Sequence, residues 1–236
     1  MSDQAADILL VEDNRINQMV AEQILKRGGL SAHLAASAEE ALEALTAQPY
    51  KLVLLDLQLP EMSGIELAGL VRAGERGITQ TNVPIIALTA YDSEEDRKRC
   101  MAAGMNDFVV KPLEIDSFLH TVQANLDAAE TEKGDRQADA APTEHVDRDS
   151  HAWDREELLV RASDDEELAQ ELLERFRNTV REHAPTLRTA MLEGDTSTAR
   201  DSAHFLVGAA GNVAAHPLRD TFSAIEEAAR AHDREK

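Results

Sequence analysis

Glu12, Asp13, Asp56, Thr89, Lys111 and His204 are the residues of this chain whose types and positions could do chemistry. Glu12 and Asp13 follow the apolar run Ile8–Val11, and Asp56 follows Leu52–Leu55. Thr89 follows Ile85–Leu88, and Lys111 follows Phe108–Val110. If these runs are strands of one open α/β sheet, their carboxyl ends share an edge, where such sheets collect ligands. Three carboxylates gathered there repel one another unless a cation sits among them. Oxygen-only donors suit Mg²⁺, which binds a few carboxylates, keeps waters and accepts phosphate oxygens. The Thr89 hydroxyl and the Lys111 ammonium complete a site for the charge on a transferring phosphoryl group. Asp56 is then a carboxylate nucleophile that forms an aspartyl phosphate. Taken singly, each acid could instead cap the next helix, and Lys111 before Pro112 could be a solvated loop charge. The joint pattern carries the argument.

The chain has eight histidines, and a lone helical histidine usually needs no function. His204 differs in its setting. The stripe through Ala203 and Leu206 puts it at the edge of a helical core, with Arg200, Val207 and Gly208 one turn away and Gly211 two turns on. Glycine inside a helix costs roughly 1 kcal/mol against alanine, so two glycines beside one imidazole need a reason. Side chains absent there leave room for a large partner to reach the ring nitrogen, as an intermolecular nucleophilic histidine requires.

These residues need elements to position them. Strands are expected at Ile8–Val11, Ala32–Ala35, Leu52–Leu55, Ile85–Leu88 and Phe108–Val110, four of them nearly all apolar, as in a parallel sheet buried on both faces. Helices are expected at Asn14–Arg27, Ala38–Ala47, Ile65–Ala73, Ser93–Ala103 and Glu114–Leu126, with a capping box at Ser37 and Glu40 and with Gly28, Gly74 and Gly104 as stops. Five strand–helix repeats predict a doubly wound five-stranded parallel α/β sheet over residues 1–126. Residues 127–150 hold eight acidic and three basic residues and one large aliphatic, Val146. Such a segment buries too little apolar surface to order itself and is expected to be a flexible acidic linker. Residues 151–236 return to helical periodicity, with stripes Leu168/Leu172/Phe176/Val180, Ala199/Ala203/Leu206/Ala210/Val213 and Leu218/Phe222/Ile225/Ala229. They predict an all-α helical-bundle domain.

Composition excludes several classes. With 24 Lys plus Arg against 45 Asp plus Glu, the net charge is −21, which repels phosphate backbones and anionic lipid. No nucleic-acid or membrane partner is expected. One cysteine, Cys100, cannot form an internal disulfide, and no apolar run reaches the ~18 residues of a membrane span. The expected location is cytoplasmic.

The segments Leu9-Leu10-Val11-Glu12-Asp13-Asn14, Leu54-Leu55-Asp56-Leu57-Gln58-Leu59-Pro60-Glu61-Met62-Ser63-Gly64, Ala87-Leu88-Thr89-Ala90 and Phe108-Val109-Val110-Lys111-Pro112 resemble the response-regulator receiver family, whose sheet is flavodoxin-like. The resemblance implies that Asp56 is the phosphoacceptor and that Glu12, Asp13, Asp56 and the backbone carbonyl of Gln58 bind Mg²⁺. Thr89 and Lys111 would contact the phosphoryl group. Phe108 would be the switch residue, without the hydroxyl of the family's frequent Tyr. The run Ala203-His204-Phe205-Leu206-Val207-Gly208-Ala209-Ala210-Gly211-Asn212-Val213 resembles the histidine phosphotransfer signature and implies that His204 is the phosphohistidine. Val207 stands where that family usually has a lysine, which implies either weakened transfer or positive charge supplied by Arg200.

Together these resemblances imply two-component phosphorelay signalling rather than a conventional enzyme, the receiver catalysing its own phosphorylation and dephosphorylation. A sensor histidine kinase and other receiver or phosphotransfer domains are the implied partners. The alternatives are a phosphorylation-controlled binding regulator whose His204 transfers nothing, and a Mg²⁺ phosphohydrolase, against which Gln58 stands in place of a second acid. Because the sequence stops soon after the helix beginning near Pro217, the bundle is expected to lack its last helix. That would leave a groove along Leu218, Phe222 and Ile225 for self-association, the receiver or a partner.

Overall fold

The five apolar runs form strands β1 (Ile8–Val11), β2 (Ala32–Ala35), β3 (Leu52–Asp56), β4 (Ile85–Thr89) and β5 (Asp107–Val110). The computed structural model of the chain describes residues 7–89, 94–130 and 153–234. All pairings are parallel, in the order β2-β1-β3-β4-β5. β1, β3 and β4 are buried along their whole length, which is why their sequences are unbroken apolar runs. β2, at the edge, exposes His33.

The crossovers are α1 (Arg15–Arg27), α2 (Ala38–Ala47), α3 (Gly64–Ala73), α4 (Glu94–Ala102) and α5 (Ile115–Glu130). One apolar core gathers α2 and α3 with Cys100 of α4, and a second gathers α1 and α5 on the other face. Two local expectations change. The Ser37 hydroxyl accepts from the Glu40 N–H at 3.2 Å, but Glu40 reaches the Ala36 N–H instead of closing the box. The reciprocal box forms at Ser63 and Glu66, at the start of α3. Helix α5 also runs four residues past position 126, to Glu130; the rest of the expected linker, 131–150, lies outside the described residues.

The C-terminal helices are α6 (Arg155–Arg161), α7 (Glu166–Glu193), α8 (Thr196–Asn212) and α9 (His216–Arg234). Asp154, Asp165 and Asp195 cap α6, α7 and α8 by accepting N–H groups of the first turn. The stripe alanines Ala199, Ala203 and Ala210 are buried, so the long helices approach closely. That closes the groove expected along α9. Phe222 is buried, Ile225 packs against the core, and Leu218 alone of the three stays exposed, at 39%. Small residues on the facing α8 let it approach and cover this side of α9. The short α6 packs on α7, and the bundle lies against α1, so that one continuous core runs from the sheet through α1 into α8.

Candidate functional site

The acids sit where strands hand over to loops. Glu12 and Asp56 are almost fully buried, and ligand oxygens of Glu12, Asp13 and Asp56 all lie within 4.8 Å of one another. Lys111, brought in by the end of β5, places Nζ 2.6 Å from Glu12 Oε2 and 2.7 Å from Asp56 Oδ2. The Gln58 N–H donates to Asp56 Oδ1 at 3.1 Å. Gly64 lets the following loop return over Asp56: a Cβ on it would meet the Asp56 carbonyl oxygen at 2.1 Å. Thr89 is buried at the end of β4.

Burial, and then the Asp56 charge, raise the Glu12 carboxyl to about 8 and the Asp13 carboxyl to about 6. Burial alone pulls Lys111 down, yet the Asp56 and Glu12 carboxylates hold it above its ordinary value. One ammonium therefore faces three crowded acids. Hard oxygen donors at this separation fit a small divalent cation such as Mg²⁺.

Sequence reasoning missed the polar shell of Glu12. Its Oε1 accepts from the Asn14 N–H at 3.2 Å and from Asn17 Nδ2 at 2.9 Å, while Gln18 Nε2 donates to its backbone carbonyl at 2.6 Å. Polar residues buried on the first turn of α1 were the available signal, hidden because a helix start is usually solvated. Phe108 is half-buried with the Arg97 guanidinium 4.3 Å from its ring centroid.

His204 sits in the middle of α8 with its side chain 13% exposed. Its Nδ1 is 3.0 Å from Oε1 of Glu226 on α9, a carboxyl that is itself buried. Burial lowers the imidazole to about 4, against the pull of Asp56, and burial raises Glu226 to about 7. The ring is neutral at pH 7. In the tautomer with its proton on Nδ1, the ring donates to Glu226 and carries its lone pair on Nε2. Glu226 lies one turn past Phe222 on the buried stripe, and a charge there was the signal that sequence reasoning passed over. Lys111 and Arg230 are among the positive groups that lower the imidazole, and Arg200 pairs with its neighbour Asp201. Val207 packs half-buried against the core.

The structure brings Glu12, Asp13, Asp56, Thr89 and Lys111 together and packs the bundle against the neighbouring α1. Asn14 Nδ2 donates to the Phe205 carbonyl at 3.2 Å, and Asn212 Nδ2 donates to Asn17 Oδ1 at 2.7 Å.

The chain is similar to known proteins along most of its length. The family model for the response regulator receiver domain matches residues 8–123, and that for the Hpt domain matches residues 171–236. The virulence sensor protein BvgS of Bordetella bronchiseptica is 32% identical over 226 residues, covering 94% of this chain and 18% of that protein. The hybrid signal transduction histidine kinase B of Dictyostelium discoideum is 35% identical over 126 residues, half of this chain and 6% of that protein. The chain thus spans under a fifth of these relatives. The receiver domain of the sensor histidine kinase PA1611 from Pseudomonas aeruginosa PAO1, solved with magnesium in its active-site cleft, is 38% identical, covering 52% of this chain and 98% of that one, with a TM-score of 0.47. No described helix is long and apolar enough to cross a membrane. Five parallel strands carrying an acid cluster, followed by a helical bundle with a histidine on its flank, make this chain a response regulator receiver domain joined to an Hpt domain, a member of the two-component phosphorelay proteins.

Proposed function

We propose that Asp56 accepts a phosphoryl group from a phosphohistidine of a sensor kinase, and that His204 exchanges phosphoryl groups with a receiver aspartate. Lys111 carries this reading: its ammonium bridges Glu12 and Asp56 at 2.6 and 2.7 Å, where negative charge collects during transfer. Glu12, Asp13, Asp56 and the Gln58 backbone carbonyl would hold Mg²⁺, which supplies positive charge against the phosphoryl oxygens. Thr89 would hydrogen-bond one of those oxygens. Phe108 would repack as the site's occupancy changes.

In the step from Asp56 to His204, the Nε2 lone pair of the neutral imidazole attacks phosphorus. The P–O bond to Asp56 breaks, its electron pair returns to the carboxylate, and Lys111 holds the restored charge. The Nδ1 proton stays against Glu226 while the ring gains positive charge. In reverse, an Asp56 oxygen attacks phosphorus and the pair returns to the imidazole nitrogen. The receiver also catalyses its own labelling from small donors and loses the phosphoryl group to water. The acidic segment between the domains serves as their tether.

Following label from a phosphorylated kinase tests this directly. Asp56 label should need Mg²⁺ and be cleaved by hydroxylamine, and His204 label should be acid-labile and base-stable. Full labelling retained in Asp56→Asn overturns the assignment. The second reading, a binding regulator without transfer, rests on Val207, which brings no charge to His204 from its own helix. Wild type that never labels on His204 with any competent donor selects it.

A further inference from the structure

Helix α7 runs over Glu166–Glu193 and buries Ala169, Leu172, Phe176, Leu187 and Ala190 along one side. On its outer side Glu167, Glu174, Arg181 and Arg188 are all exposed and stand seven residues apart. Seven residues are nearly two turns, so the four share one face with a drift of about 20° per step. That face is acidic over its first half and basic over its second. A solvated helix face is usually supported by opposite charges four positions apart, as Glu171 and Arg175 are here, at 2.7 Å. None of the four has an opposite charge four positions away, and none makes an ion pair among the described residues. Sorting the signs by halves forgoes pairing within the helix and suits a second helix running the other way. Apolar side chains stand at both ends of the stripe. Leu192 is 78% and Met191 54% exposed at the C-terminal end, and Val160 is 47% exposed on α6, which ends at Arg161 just before α7 begins.

We propose that this outer face of α7 pairs, antiparallel, with the same face of a second copy of the chain, about a two-fold axis between Arg177 and Asn178. Charge complementarity fixes both the occupant and its direction. The register sets Glu167 against Arg188 and Glu174 against Arg181, and the symmetry repeats both pairs. A parallel copy in register would set each charge against its like. The same register brings Met191 and Leu192 toward the end of α6 in the second copy, where Val160 stands. A helix of 28 residues is about 42 Å long and about 10 Å wide, so contact along it covers roughly 400 Å² on each copy. That is below the roughly 800 Å² per partner of a standard interface, and each exposed ion pair contributes little. The dimer is therefore weak. At physiological salt, charges beyond about 8 Å are screened, so the contacting pairs weigh more than the net charge of −21 on each copy. The stripe points away from the side of α7 that packs on α8, so pairing leaves His204 and the acid cluster outside the contact. The pairing does not depend on the phosphorelay reading; given that reading, it sets two relay chains side by side with both phosphoryl sites open.

The test is sedimentation equilibrium of the full chain at physiological ionic strength, from about 10 µM to about 2 mM protein, the range that reads a weak contact. Wild type should show a monomer–dimer equilibrium with a Kd of about 0.1–1 mM. Glu174→Arg alone and Arg181→Glu alone each set like charges against one another and should weaken the dimer roughly tenfold or more. An equimolar mixture of the two variants restores opposite charges at both inner positions. It should dimerise about as well as wild type, which neither variant does by itself. Labelling of Asp56 by phosphoramidate should stay within about twofold in each variant, as expected for a site they do not touch. A chain that stays monomeric throughout overturns the second copy as occupant. A dimer that neither variant weakens overturns this face as the interface. Variants that are weakened singly and not restored by mixing overturn the antiparallel register.

Discussion

Asp56 and His204, the two residues proposed to carry the phosphoryl group, are held in opposite ways. Asp56 sits at a strand end among two other acids, and a buried lysine touches two of the three. His204 sits mid-helix, its imidazole held well below its ordinary value by burial, with one buried carboxyl beside it. The aspartate must be given positive charge before it can receive a dianionic group, so its site is dense and buried. A neutral imidazole already has its lone pair and needs orientation and access. On the proposed reading, the receiver supplies the charge for both directions of transfer, and the bundle supplies an oriented imidazole.

That contrast can be broken most completely at its charged end. Asp56→Asn should abolish hydroxylamine-sensitive label, measured by acid-quench electrophoresis of the labelled chain. Lys111→Met should leave the fold intact and slow labelling of Asp56 by roughly 10²–10³-fold, the range for removing one preorganised charge donor; a loss under about threefold would show that Mg²⁺ alone carries the charge. At the histidine end, Glu226→Ala should slow Asp56-to-His204 transfer by roughly 10- to 100-fold, as for other residues that orient an imidazole through its second nitrogen. Asp56 labelling should not change. Glu226→Gln, which keeps a hydrogen-bond acceptor, should recover part of the rate.

The acid cluster and the His204 imidazole should respond to pH with opposite sign, which denaturant unfolding in chelator from pH 4 to 8 can read. Without metal, burial and the Asp56 charge raise Glu12 to about 8 and Asp13 to about 6, well above the ordinary carboxyl range. The folded state then holds more protons, so stability from these groups falls as pH rises through that window. Mg²⁺ should flatten the fall, and Glu12→Ala with Asp13→Ala should remove it. His204 titrates near 4 when folded against 6.5 otherwise. There the unfolded state binds more protons, so its contribution is complete above pH 6.5 and is lost as pH falls toward 4. The difference between wild type and His204→Gln should therefore shift against wild type below pH 6.5. The smallest effect expected is that of Val207→Lys, a change in transfer rate of a fewfold at most, the scale of a partly exposed charge worth about 0.5–1 kcal/mol.

The sequence determined the elements and most of the site. Unbroken apolar runs such as Ile8–Val11 fit only strands buried on both faces, and β1 and β2 span the same residues in the structure. The acids and Lys111 were legible because strand ends in a parallel sheet converge whatever the helices do. Tertiary structure decided what depends on distance between segments far apart in the chain. Glu226 meets His204 across 22 residues, and Asn212 meets Asn17 across 195. No local period encodes either contact. Pro185, which removes a helix hydrogen bond, lies inside the 28-residue α7, where packing overrides local preference. The glycines at 208 and 211 were visible as anomalies in a helix. What they make room for was decided only when the fold brought Asn17 and Pro112 against them, because a missing side chain records a close approach but not the identity of what approaches.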